Sequence, residues 1–151
     1  MIAKPTTTWI LIARRSSAVI FSSHGPGLPM SVVSEIGNPR GRWKNRDIDA
    51  DRPGRTFDRR GFGRHAVSTE ESPTERIEHE FAARLAEQLD HDRALNAFDR
   101  LVLVAPPKLL GVLRDELPNP TRQLVVGELA KDLVDPTPTE VREHLAGVVL
   151  V

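Results

Sequence analysis

Arg40, Arg42, Lys44, Arg46, Arg52, Arg55, Arg59, Arg60 and Arg64 fall within the 30 residues from Asn38 to Val67, opposed only by Asp47, Asp49, Asp51 and Asp58. Guanidinium forks bind phosphate and carboxylate oxygens in pairs. Trp43, Phe57 and Phe62 are interleaved with them, and flat rings give nucleic-acid bases something to stack on. Pro53, Gly54, Gly61 and Gly63 punctuate the stretch, and turns of this kind leave backbone amides free to meet an anion. The chemistry such a segment can do is polyanion recognition, with Arg42, Lys44, Arg46, Arg52, Arg55, Arg64 and His65 as the candidate contacts. Three other uses compete with it: pairing with acidic side chains of the same molecule, contact with another protein or a second subunit, or no order at all.

Charge elsewhere sharpens the contrast. The whole chain is balanced, with 21 Lys and Arg against 21 Asp and Glu, so the remaining 121 residues hold 12 basic and 17 acidic side chains. Segregated charge says more about a partner surface than the formal net charge of zero does. Apolar positions from Asn38 to Val67 fit neither a helical nor a strand period, so the span Gly37 to Ser72 is predicted to be a long basic loop.

Catalytic patterns are incomplete. Gly61-Phe62-Gly63-Arg64-His65-Ala66 matches the glycine fingerprint of dinucleotide sites, but no apolar strand precedes it and no helix pattern follows at once. His79-Glu80 begins a helical zinc-protease pattern, yet position 83 is Ala, so the second imidazole is missing. His79 and His91 are expected to be solvated. A two-metal nuclease needs carboxylates at the ends of the first and fourth strands; here those ends carry Arg14-Arg15 and Pro106-Pro107, leaving only Glu80 or Glu87 on the first helix. Without cysteine there is no thiol nucleophile, thiolate metal site or disulfide. The expectation is a protein with no catalytic residues, no metal and no cofactor.

The longest apolar runs are far shorter than the roughly 20 residues a bilayer span needs. The run after Lys4 is too short for a signal peptide and meets Arg14-Arg15. A cytoplasmic location with no membrane insertion is therefore expected, in one domain spanning residues 1–151.

The elements that must position the basic loop are legible from period and punctuation. Thr8 to Ala13 and Ala18 to Ser22 predict a β-hairpin, and Met30 to Ile36 a third antiparallel strand. Ser72, Pro73 and Glu75 predict a capped helix start, with Glu75 closing a capping box. Ile77, Phe81, Leu85 and Leu89 mark the apolar face of that helix, with Arg76–Glu80 and Glu80–Arg84 pairs on its polar side. The unbroken run Leu101 to Ala105 predicts a central strand buried on both faces. Lys108 to Leu117 predicts a second helix stopped by Pro118-Asn119-Pro120, Leu124 to Leu129 a fifth strand, and Thr137 to Glu140 a third helix start. The tail Val148 to Val151 fits either an extension of that helix or a place along the sheet. Three antiparallel strands followed by two β-α-β crossovers require a mixed five-stranded sheet with three helices, an α/β fold with the element order of the ribonuclease-H-like architecture. A flavodoxin-like sheet is the alternative.

Several blocks resemble the bacterial host-attachment protein family. They are Thr8-Trp9-Ile10-Leu11-Ile12-Ala13 with Ala18-Val19-Ile20-Phe21, then Lys44-Asn45-Arg46-Asp47, Asp51-Arg52-Pro53-Gly54-Arg55, Phe57-Asp58, Gly63-Arg64-His65-Ala66, Leu101 to Pro107 and Lys131-Asp132-Leu133. Arg14-Arg15-Ser16 departs from the family, which usually has an Asp-Gly turn there. The family is similar in fold to the middle domain of peptide-chain release factors and of Pelota, and this implies association with RNA or the ribosome. The Gly-Gly-Gln tip of release factors has no counterpart here, since the glutamines are Gln88 and Gln123. The expectation is thus a non-enzymatic protein that binds RNA, the ribosome or another polyanion through the loop. A protein partner, a homo-oligomer contact or an adhesion-related role is the alternative.

Overall fold

The computed structural model describes residues 6–42 and 71–151. Its centre is strand β1 (Thr8–Ala13), every residue of which is buried. Strand β2 (Ser17–Ser23) returns antiparallel beside it, and β3 (Ser31–Gly37) pairs antiparallel with β2. Strand β4 (Arg100–Ala105) joins the other side of β1 in parallel, and β5 (Val125–Ala130) extends the sheet in parallel beyond it. The order β3-β2-β1-β4-β5 is the mixed five-stranded α/β sheet that the pattern predicts. Antiparallel pairing of β1 with β2 removes the flavodoxin-like alternative. Strand β4 is interior, as its apolar run requires, but β1 holds the middle position.

The two-residue period of the strands divides the core in two. Trp9, Leu11, Leu101 and Leu103 face a layer made by Phe81, Leu85 and Leu89 of helix α1 (Pro73–Ala94) and Leu109 and Leu113 of α2 (Pro107–Glu116). Ile10, Ile12, Val102 and Val104 face the opposite way, against Val141 and Leu145 of the last helix, Pro138–Leu145. Between α2 and β5 the segment expected only to stop α2 forms a one-turn helix, α3 (Asn119–Arg122), so the last helix is α4. Proline is tolerated in a first helical turn because the amide it lacks has no intrahelical partner there.

The two helix starts predicted alike differ in detail. At α4, Glu140 N–H donates to Thr137 Oγ1 at 3.2 Å and Thr137 N–H donates to the Glu140 carboxylate at 2.9 Å, a complete capping box. At α1 only the first half forms: Glu75 N–H donates to Ser72 Oγ at 3.1 Å, while the Glu75 carboxylate accepts from Lys108 on α2 at 3.1 Å. A cation within reach outbids the cap amide for a charged acceptor. The tail neither prolongs α4 nor adds a strand. It turns at Gly147 and packs over the sheet, where Val149 and Val151 join the second core layer, and a Cβ on Gly127 would lie 2.9 Å from Val148 Cγ1.

Candidate anion-binding edge

Strands β1, β4 and β5 run parallel, so their carboxyl ends emerge along one edge of the sheet. From there β1 turns through residues 14–16 into β2 on one side, whereas β4 leads through α2 to β5 on the other. In open α/β sheets a ligand crevice forms where adjacent strands depart in opposite directions. Such a cleft of about 400 Å³ lies here, lined by Arg14, Arg15, Ser16, Gly41, Arg42, Glu78, Pro106 and Asp132.

The turn after β1 is built around its backbone. Arg14 N–H donates to Ser17 C=O at 2.7 Å, and buried Asn38 locks the outside of the turn. The Asn38 amide donates to Arg15 C=O at 2.8 Å and its backbone N–H to Ser16 C=O at 2.8 Å. Asn38 thereby satisfies carbonyls that have no strand partner. Pro39–Arg42, expected to be irregular, forms a 3₁₀ turn that presses onto this hairpin end. Arg15 Nε donates to Gly41 C=O at 3.0 Å. A Cβ on Gly41 would lie 2.1 Å from Arg15 O, so only glycine permits the approach.

The arginines differ in what engages them. Arg14 forms a two-pronged pair with Asp132, Nε to Oδ1 at 2.6 Å and a terminal nitrogen to Oδ2 at 3.4 Å. The Asp132 hydrogen bond and the charges of Asp132 and Asp135 hold the Arg14 guanidinium above its ordinary pKa. Arg14 also borders a smaller cavity of about 190 Å³ between Ile12, Val19, Ile36 and Leu133. Arg42 is exposed at the mouth of the cleft. Glu78 is the carboxylate in the wall, and burial raises its pKa, against the lowering effect of Arg15 and Lys108 and with a further rise from Glu75.

The described residues on either side of 43–70 are tied to α1. On the amino side Arg40 donates to Glu80 at 2.7 Å and Arg84 to Gly37 C=O at 3.3 Å. On the carboxyl side the Glu71 carboxylate meets His79 Nδ1 at 2.6 Å, and His79 Nε2 meets Glu116 of α2 at 2.5 Å. His79 and Glu80 are neighbours, so both sides converge on one turn of α1. The expected pairing of Glu80 with Arg76 and Arg84 gives way to Arg40, and Arg84 sits 5.2 Å over the Phe81 ring. His79 is not simply solvated: two carboxylates bracket its ring, and their hydrogen bonds, Glu71 first, raise its pKa.

Of the candidate contacts, Arg42 is described and lines the cleft. Lys44, Arg46, Arg52, Pro53, Gly54, Arg55, Gly61, Gly63, Arg64 and His65 lie outside the described residues. Sequence reasoning missed Arg14, Arg15 and Glu78. The adjacent arginines directly after a buried strand were a usable signal, because a strand's carboxyl end is where α/β sheets hold ligands. Glu78 carried none, since its neighbours Glu75, Arg76, His79 and Glu80 look like any solvated helix face. Among the described residues no group of three or more His, Asp and Glu is placed to hold a metal ion, and no helix is long and apolar enough to cross a membrane.

Residues 9–145 match the family described as "Protein required for attachment to host cells". An uncharacterized protein of Rickettsia prowazekii (strain Madrid E) is 39% identical over 61 residues, covering 38% of this chain and 41% of the relative. The matched region is thus less than half of that relative's length. The match over residues 9–145 places the chain in the host-attachment family, to which it belongs.

Proposed function

We propose that this member of the host-attachment family is a non-enzymatic cytoplasmic protein that binds RNA, free or within the ribosome, through the basic segment and the arginine-bearing edge that precedes it in the chain. The observation that carries this is one of position. Arg42, the last described residue before 43–70, lines the same crevice as Arg14 and Arg15, so in sequence the basic stretch continues directly from an arginine-lined edge. Cationic surfaces of this kind neutralise phosphates and release counterions, which gives affinity without base-specific contacts. Trp43, Phe57 and Phe62 supply stacking partners in the same stretch. The family description names a requirement in attachment to host cells and leaves the chemistry open.

The test is recovery of the tagged protein from cells at low salt, with and without nuclease. RNA co-purifying in the untreated sample, and loss of associated ribosomal material after nuclease, are the expected results. A protein partner retained at unchanged stoichiometry through nuclease and high salt would replace RNA with a protein contact, because packed protein interfaces respond less to salt than phosphate contacts do.

A further inference from the structure

We propose that the crevice between β1 and β4 is a discrete phosphate-binding site, held by Arg15 and Arg42, in which Glu78 takes up one proton from solvent as the phosphate enters. The ligand is a phosphate group, either one link of an RNA backbone, which rests on the function proposed above, or a free tetrahedral anion.

Donor use within the cleft singles out these two arginines. Arg14 is occupied by Asp132. Arg15 directs only Nε to Gly41 C=O, and among the described residues its terminal nitrogens have no hydrogen-bond partner. The Arg42 side chain has none there either, and it lines the same cleft from the end of the 3₁₀ turn. Helix α2 begins beside the cleft at Pro106 without a side-chain cap, so its positive end adds to the field. The fold therefore places the donors of Arg15 and Arg42 around an opening large enough for a phosphate and water. Adenine or apolar ligands are poorly suited, because the lining is almost wholly charged, polar or proline.

Glu78 is the group that this arrangement leaves unexplained. It shares the cleft with Arg15, yet among the described residues its carboxylate makes no hydrogen bond. The charges that face it are Arg15 from the hairpin turn, Lys108 from α2 and Glu75 from its own helix. Arg14, Arg42 and Asp132 complete the lining. With Glu78 ionised, three arginines oppose two carboxylates, and an entering phosphate would face a like charge across the cleft. Protonating Glu78 removes that repulsion and leaves a net charge of two for the anion. Burial already raises the pKa of this half-buried carboxylate, so a nearby negative charge is met by protonation more readily than at an exposed one. Binding and protonation are therefore coupled, and affinity rises as pH falls toward the Glu78 pKa, by up to about tenfold per pH unit for one proton.

The experiment measures binding of two probes from about pH 8 to about pH 5 at fixed ionic strength. One is a single-stranded RNA oligonucleotide with hydroxyl ends, whose diester phosphates do not titrate; the other is sulfate, followed by amide NMR shifts. Wild type is compared with Arg42→Ala and Glu78→Gln, each checked by thermal melting. Wild-type affinity for both probes is expected to rise on acidification. Glu78→Gln should bind several-fold tighter at neutral pH with a flattened pH profile, Arg42→Ala should weaken binding, and sulfate should shift the amides of Arg15, Gly41 and Arg42. A Glu78→Gln profile identical to wild type, or sulfate shifts confined elsewhere, overturns the site. RNA binding indifferent to both substitutions overturns the site while the RNA function stands. Sulfate binding that depends on both residues without any RNA binding upholds the site and overturns the RNA function.

Discussion

Arginines stand at both ends of the sheet, and they are used in opposite ways. At the amino end of β1, Arg100 Nε donates to Thr8 Oγ1 at 2.9 Å and a terminal nitrogen to Leu150 C=O at 3.0 Å. Arg142 reaches Val151 C=O at 3.1 Å, Leu28 C=O at 2.5 Å and Gly25 C=O at 3.4 Å. These cations close irregular backbone whose carbonyls have no strand or helix partner. At the carboxyl end Arg14 is paired, but Arg15 and Arg42 keep donors that the described residues do not take up. A guanidinium that spends both Nε and a terminal nitrogen on oxygens of the chain belongs to the fold. One that lines an open crevice and spends only Nε on the chain, as Arg15 does, keeps its terminal nitrogens for a ligand.

Substitutions can break this comparison, and the sheet interior sets its upper scale. Leu103 is completely buried in β4, so Leu103→Ala should cost ~2–5 kcal/mol in chemical denaturation, and hydrogen exchange at residues 101–105 should be among the slowest in the chain. Fast exchange there would contradict the interior position of β4. Arg142→Ala comes next: losing a charged donor to three carbonyls should cost ~1–3 kcal/mol and lower the melting temperature. Arg42→Ala at the other end should change stability by no more than about 0.5 kcal/mol. Equal losses at the two positions would erase the distinction between them.

A smaller effect is expected from pH. His79 is bracketed by Glu71 and Glu116, and its pKa lies above the ordinary 6.5 in the folded protein. A raised folded pKa means that its stabilising contribution is complete below about 6.5 and disappears as pH climbs through the folded value. Melting temperature should therefore decline over that alkaline interval, and His79→Gln should remove the decline. Glu140 works in the opposite sense. The Thr137 backbone amide, and then its hydroxyl, lower its pKa, so its contribution is present above the ordinary 4.5 and is lost on acidification through the folded value.

Much of the scaffold was legible because one local signal dominated each element. The apolar run of β4 and the four-residue recurrence of Ile77, Phe81, Leu85 and Leu89 need no tertiary information to interpret. What was not legible depended on side chains meeting across elements. Glu75 is placed by Lys108 and Glu80 by Arg40, each drawn from more than 30 residues away, and no local pattern announces such partners. His79 looked solvated for the same reason. The candidate site was half readable: charge segregation pointed to Arg42 and the stretch beyond it, while Arg14, Arg15 and Glu78 became part of the site only when the sheet brought their strand and helix ends together. The α3 turn is hidden in the sequence because Pro118-Asn119-Pro120 reads as a stop for α2, although proline also starts helices well.

The central claim is that Arg52, Arg55 and Arg64 of the basic segment serve binding rather than folding, and the salt dependence of RNA affinity in Arg52→Ala/Arg55→Ala/Arg64→Ala tests it most directly. Affinity for a single-stranded RNA should be measured across a salt series for wild type and this variant, together with the melting temperature. The account predicts a steep log-linear salt dependence in wild type, flattened in the variant by up to about three phosphate contacts, with the melting temperature nearly unchanged. A variant that melts many degrees lower while its salt slope matches wild type would make these arginines structural partners of acidic side chains, and would contradict the account.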